Sequence, residues 1–265
     1  MESGAKRKGA RRIADIPADI RAAIDSGQIA TVNLVEFLSA DLNILLPSVA
    51  AQIGLDPQHP AILAAVDRLP GLKPMQRHPA AAQALWAAGA NQSPAWQRLA
   101  SHVSDLARQW AALQISFDSA LDLDQTLQLI RPFAADRHFG VREFAWMALR
   151  PAIVQAPLSA IALLQPWAHE ADPNLRRFAS EATRPRGVWC AHIEMLKSQP
   201  EAGLPLLEPL RADASKYVQD SVANWLNDAA KSRPQWTQAV CRRWLEENCS
   251  KATLRICQRA QRSIK

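Results

Sequence analysis

The feature that most constrains this chain is an internal repeat in its second half. Val141-Arg142-Glu143-Phe144-Ala145 aligns with Leu175-Arg176-Arg177-Phe178-Ala179, then with Val218-Gln219-Asp220-Ser221-Val222. A weaker copy begins Leu254-Arg255-Ile256, and the successive spacings are 34, 43 and 36 residues. An Asp introduces each of the first three copies (Asp136, Asp172, Asp213), and the first two share a later Arg-Pro, Arg150-Pro151 and Arg184-Pro185. Each unit reads as a loop, a first helix, a corner and a second apolar helix such as Ser159–His169 or Gly203–Ala212. One such helix pair cannot bury its apolar faces alone, so copies must stack on one another.

Composition points the same way. The 265 residues include Gly 9 against Pro 18, with Tyr 1 and Phe 6. Hairpin turns need glycine, strands favour aromatic residues, and prolines suit helix starts and corners. The expected fold is therefore all-α: a HEAT-like α-solenoid of stacked antiparallel helix pairs with a concave basic groove. Residues 13–265 form a single repeat domain, clearest from about residue 136 to 265, behind a disordered basic arm at residues 1–12. Helical periodicity starts at Ile16, and residues 44–110 read as Ala- and Leu-rich helices broken at Pro47, Pro57, Pro60, Pro70, Pro74, Pro79 and Pro94. Trp86, Trp96 and Trp110 fall on apolar faces and read as core.

Several function classes drop out. HExxH, GxGxxG, P-loop and GxSxG patterns are absent. No apolar run reaches the roughly 18 residues of a membrane span, and no signal-peptide core follows the basic N-terminus. Cys190, Cys241, Cys249 and Cys257 contain no close pair, so reduced thiols in a cytoplasmic protein are expected, with no metal and no cofactor. The net charge of +6 is unevenly spread: residues 1–12 carry +4 and residues 231–265 carry +7. Basic ends suit a polyanion partner. The repeated basic position (Arg142, Arg176, then Gln219, then Arg255) forms either a row facing a nucleic-acid backbone or a structural ladder between repeats; for the introducing aspartates the ladder is favoured.

The densest motif is Arg176-Arg177-Phe178-Ala179-Ser180-Glu181-Ala182-Thr183-Arg184-Pro185-Arg186-Gly187-Val188-Trp189. On a helix, Phe178 and Ala182 share an apolar face, and Arg177 and Glu181 share another. Neighbouring cations hold such a carboxylate ionised, and Pro185 ends the helix, delivering Arg184, Arg186 and Trp189 to a loop. A carboxylate, an aromatic plate and a ring of cations suit a reaction on a phosphodiester polymer through a cationic transition state. The alternative is a buried inter-repeat salt-bridge cluster with Trp189 in the core. In the third copy Asn224, Asn227, Asp228 and Lys231 form a polar helical stripe. The two asparagines read as inter-repeat bonds, and Lys216, Tyr217 and Lys231 as candidate DNA contacts.

The run LRRFASEATRPRGVW, followed 28 residues on by YVQDSVANWLNDAAKSRPQW, resembles the DNA alkylation repair glycosylases of the AlkC type, bacterial HEAT-like-repeat proteins related to the AlkD type. That family typically reads RRLASEGTRPRLPW and then YVRKSVANNLNDISKDHP, and its EFAIRPF is similar to Glu143-Phe144-Ala145 followed by Arg150-Pro151. The resemblance covers about residues 136–240. It implies a monomeric DNA glycosylase, a hydrolase of base excision repair. Such an enzyme removes cationic alkylated bases (3-methyladenine or 7-methylguanine type) from duplex DNA without a base flip or nucleotide cofactor, in the bacterial cytoplasm at the nucleoid. The alternative is a non-catalytic HEAT-like protein that binds bent, branched or damaged DNA.

Carried over by motif, Glu181 and Glu143 are the carboxylates near the sugar and Trp189 packs on the sugar face. Arg176, Arg177, Arg184 and Arg186 hold the DNA backbone, with Arg142, Trp146, Lys216, Tyr217 and Lys231 as further contacts. Three departures from the family pattern stand out. Three extra residues separate Glu143-Phe144-Ala145 from Arg150-Pro151. Gly187-Val188 replaces Leu-Pro, which loosens the loop before Trp189. Gln219-Asp220 replaces a basic pair.

Overall fold

A computed structural model describes residues 7–91 and 94–264, and among them every regular element is a helix. The chain divides into two compact units: residues up to Asp118 with His138–Phe144, and Ser119–Arg137 with Ala145–Lys265. The helix Phe139–Gln155 contributes to both.

In the first unit, helices such as Leu42–Gln52, Pro74–Leu85 and Asp105–Ile115 bury an Ala- and Leu-rich core that includes Leu45, Leu46, Leu85 and Trp110. Pro47 and Pro79 sit inside the first two of these helices and do not break them. A proline there costs one backbone hydrogen bond, which burial of Leu42, Leu45, Leu46 and Val49 offsets in the first case. His78 is a core residue, stacked 4.9 Å from Phe37 and accepting from the Trp110 indole at 3.3 Å. Burial, helped by the charge of Arg77, lowers its pKa to about 3. Residues 1–6 of the expected basic arm lie outside the described residues. Beyond them, Arg7 makes two bonds to Glu36, at 2.5 and 2.7 Å, and Asn33 donates to the carbonyl of Ala10, so this stretch is held against the unit.

The second unit shows why the repeat exists. The leading helices of the last three copies are Pro173–Ala182, Lys216–Ala230 and Lys251–Ala260, each packed on the next. Asp172 caps the first of them by accepting from Asn174 N–H, with Pro173 at its first position. The expected partner helices occur as Pro157–Leu164 continued by a 3-10 turn at Gln165–His169, and as Leu204–Leu207 flanked by 3-10 turns at Pro200–Gly203 and Glu208–Leu210. Phe178, Trp225 and Trp244 are at most 1% exposed. Each contributes roughly 1.5–3 kcal/mol through burial.

Gly203 fixes how closely two elements approach. Its backbone, with φ −83°, suits any residue, yet a Cβ there would lie 2.3 Å from Cζ2 of Trp225. The indole cannot move, because its Nε1 donates to the Thr183 carbonyl at 3.0 Å. Gly203→Ala is expected to destabilise the protein by about 1–3 kcal/mol, read as a lower urea midpoint at unchanged slope. A wild-type midpoint would show that the indole shifts freely.

Candidate functional site

The helix Pro173–Ala182 places Arg177 and Glu181 one turn apart, and they meet at 3.6 Å. The helix ends at Thr183, so Arg184 leaves it and turns back, donating from Nη1 to Glu181 Oε1 at 2.8 Å. Ser221, from the next repeat, donates to Glu181 Oε2 at 2.7 Å. The other side of the Arg184 guanidinium reaches Asp228 Oδ2, with Nε and Nη2 each at 2.8 Å. Lys231 Nζ closes the series, 3.2 Å from Asp228 Oδ1. Five charges thus alternate in sign: Arg177, Glu181, Arg184, Asp228, Lys231.

Glu181 is 5% exposed and Asp228 2%. Burial pushes the Glu181 carboxyl upward, but the charges of Arg177 and Arg184 and the Ser221 hydrogen bond outweigh it, so its pKa lies below the ordinary carboxylate value. The same attraction, from Glu181 and Asp228, overcomes burial at Arg184 and raises its pKa. Arg177 also lies 4.6 Å above the ring of half-buried Tyr217, a cation–π contact between the two side chains.

The loop after this helix is rigidly held. Arg150, 1% exposed, donates to three carbonyls at 2.7–2.8 Å: Ala182, Arg184 and Ala191. Ile193 N–H bonds to the Pro185 carbonyl at 3.0 Å. Gly187 packs so tightly that a Cβ would lie 2.3 Å from Cys190 Sγ. The expectation of a loosened loop is therefore corrected: glycine here permits close packing. At the loop's tip Trp189 is 72% exposed with φ 67°, and it is the one non-glycine residue with positive φ among those described. A left-handed backbone costs an ordinary residue about 1–2 kcal/mol, so the fold spends energy to hold an indole out in solvent. The alternative that Trp189 belongs to the core is overturned, whereas the buried ion cluster around Glu181 is real.

Other expected contacts divide sharply. Arg176 donates from Nε and Nη2 to Asp213, at 2.7 and 3.1 Å, and from Nη1 to the Glu170 and Ala171 carbonyls. With its guanidinium paired to a carboxylate it is a rung between repeats. Gln219, at the same repeat position, donates to the Asp213 carbonyl, and Arg255 pairs with Asp220. In these copies the basic row makes the inter-repeat bonds that the ladder reading expects. Trp146 is 4% exposed, a core side chain with no face to offer a ligand. Arg142 and Glu143 are half-buried and lie in the first unit, whereas Glu181 lies in the second. Lys216 is exposed at the start of its helix, and Arg186 donates to Ser232 Oγ at 2.7 Å.

Three residues joined to the cluster were not proposed as site residues from the sequence: Asp228, Ser221 and Arg150. The polar stripe through Asn224, Asn227 and Lys231 contained Asp228 and was the available signal. Arg150 stood in the shared Arg-Pro and Ser221 in the repeat alignment, but neither pattern shows the role, which depends on packing across 32–41 and 40 residues.

No family model matches the chain. An uncharacterized protein of Bacillus subtilis (strain 168), YhaZ, is 38% identical over 115 residues, covering 43% of this chain and 31% of the relative. Pseudomonas fluorescens alkylpurine DNA glycosylase AlkC, solved bound to DNA containing an abasic site analog, superposes with a TM-score of 0.68 at 25% identity. That match covers 83% of this chain and 62% of AlkC, so the chain spans under two thirds of the length of either relative. Two Streptococcus mutans structures, smu.31 and AlkD2, each give a TM-score of 0.59 over 77% of this chain, at 19% and 18% identity. The resemblance carried by the two motifs therefore holds in three dimensions, and the chain has the fold of the AlkC- and AlkD-type helical-repeat proteins.

Proposed function

We propose that this protein is a DNA glycosylase that hydrolyses the N-glycosidic bond of cationic alkylated bases, of the 3-methyladenine or 7-methylguanine type, in duplex DNA without flipping the base. One observation carries the reading: Trp189 is held exposed, at an energetic cost, on a loop pinned by Arg150 and leading directly from a buried carboxylate–arginine cluster. Alkylation leaves a positive charge on the base. When the bond breaks, its electron pair departs with the base, which becomes neutral, and positive charge develops on the sugar. Water then adds at C1′ and gives up its proton to a carboxylate. Glu181, kept ionised by Arg177 and Arg184, supplies negative charge for the sugar, and Trp189 packs against the sugar's face. Glu143 is the second carboxylate carried over by motif. The likeness to AlkC, solved on abasic DNA, supports duplex DNA as partner.

Incubation with methylated duplex DNA, followed by chromatography of released bases, tests this. Trp189→Ala is expected to lower release at least tenfold while the melting temperature stays within a few degrees, because 72% of that side chain is already in water. Release unaffected by this change would remove the residue on which the reading rests. A second reading, a non-catalytic DNA reader, is favoured by one fact: Glu181 is 5% exposed and both its oxygens already have partners. DNA binding with no base released would select it.

A further inference from the structure

Two guanidinium groups near the cluster are positioned yet unneutralised. Arg262 donates from Nη2 to Asn224 Oδ1 at 2.9 Å and from Nη1 to the Arg259 carbonyl at 2.8 Å, both neutral acceptors. Arg186 donates to the Ser232 hydroxyl, and its Nε is a buried donor with no hydrogen-bond partner. Neither has a carboxylate within salt-bridge distance among the described residues. Their neighbours differ: Arg255 and Arg259 both reach Asp220, and Arg184 is clamped by Glu181 and Asp228.

One helix organises all of this. Asn224 and Asp228 lie four residues apart in Lys216–Ala230, on one face, and Ser232 follows four further on, just past the helix end. At 1.5 Å per residue these anchors are about 6 Å apart along the axis. Each holds one arginine from another element: Asn224 holds Arg262, Asp228 holds Arg184, and Ser232 holds Arg186. The middle arginine is spent on carboxylates, and the outer two keep their full charge. Arg262 also feels Arg184 and Asp228 electrostatically, so it belongs to the same neighbourhood as the cluster.

A fixed guanidinium with no carboxylate in salt-bridge distance is costly to leave without a use: burial and the charges of Arg259 and Arg184 oppose Arg262, and the attraction of Asp228 and Asp220 offsets this only in part. Planar guanidinium groups suit phosphate oxygens, which accept two donors at once. We propose that Arg262 and Arg186 are the two phosphate-binding ends of a DNA backbone site laid along this helix, with Asn224 the positioning residue that aims Arg262. The inference rests on the DNA reading above and adds to it a residue near the C-terminal end that neither motif contains.

The experiment measures duplex DNA affinity across a salt series. Arg262→Ala and Arg186→Ala are each expected to weaken binding several-fold and to reduce the slope of log K against log salt by about 0.9, the value for one lost phosphate contact. Asn224→Asp should reproduce the Arg262→Ala loss with the arginine still present, because an aspartate would neutralise it. Arg243→Ala removes an equal charge from a surface pair with Glu208 and should leave the slope unchanged. Arg262 is exposed, so the thermal melt of Arg262→Ala should coincide with that of the wild type and exclude unfolding. Wild-type DNA binding with an unchanged slope in Arg262→Ala would overturn this inference alone. Absence of DNA binding by the wild type would overturn the DNA reading, and this inference with it.

Discussion

Glu181→Gln is expected to lower base release by about 10²–10³-fold, the scale on which single electrostatic stabilisers act in enzyme sites, while DNA affinity changes by only a few-fold. The substitution keeps the shape of the side chain. Its amide oxygen can still accept from Arg184, which in any case retains Asp228. Arg177 loses a charged partner at 3.6 Å but keeps the ring of Tyr217. What disappears is the buried negative charge placed between Arg177 and Arg184, whose attraction holds the carboxyl below its usual pKa. Losing a charged hydrogen-bond partner costs stability by about 1.5–3 kcal/mol, so urea unfolding should be run alongside. Parallel falls in stability, affinity and release would show that Glu181 is a structural ion. Lost release with binding intact identifies its charge as chemical.

Arg184→Met is the substitution with the largest expected cost to stability. Arg184 is the shared partner of two carboxylates, Glu181 and Asp228, that are 5% and 2% exposed. Removing one partner of a buried ion pair typically costs about 3–5 kcal/mol, because the remaining charge stays buried and uncompensated. The pH dependence supplies a sharper check. In the wild type the folded pKa of Glu181 is lowered, so its stabilisation is present above the unfolded pKa and lost as pH falls through the folded value. In the variant Arg184's attraction is gone and burial, the largest influence on Glu181, pushes the carboxyl up. The folded state then binds more protons than the unfolded state, so stability falls as pH rises. Between about pH 7.5 and pH 5, the gap between variant and wild type should narrow in denaturant titrations. Parallel profiles would mean that Arg177 and Lys231 alone suffice to neutralise the two carboxylates.

Much of the fold was legible because helix periodicity is a local property. The repeat register located the helices Pro173–Ala182, Lys216–Ala230 and Lys251–Ala260, and the spacing of Arg177 and Glu181 placed them together. Pro47 and Pro79 misled for a physical reason: burial of neighbouring apolar residues tolerates one missing backbone bond, and nothing local reveals that burial.

The basic positions show where local reading stops. Arg176 and Arg186 look alike in sequence, ten residues apart in one motif. One is neutralised by Asp213, 37 residues away, and the other donates to the neutral hydroxyl of Ser232, 46 residues away. Trp146 and Trp189 look equally available, yet one is core and the other stands 72% exposed on a left-handed backbone. The sequence by itself determined the helical repeat, its register and the charge pairs one turn apart, because each follows from spacing along a single helix. The tertiary structure alone decided which arginines keep their charge, which tryptophan meets solvent, and that Asp228 and Ser221 join Glu181. Those outcomes depend on which residue of the next repeat lies opposite, and stacking distance between helices is not encoded in the period of either one.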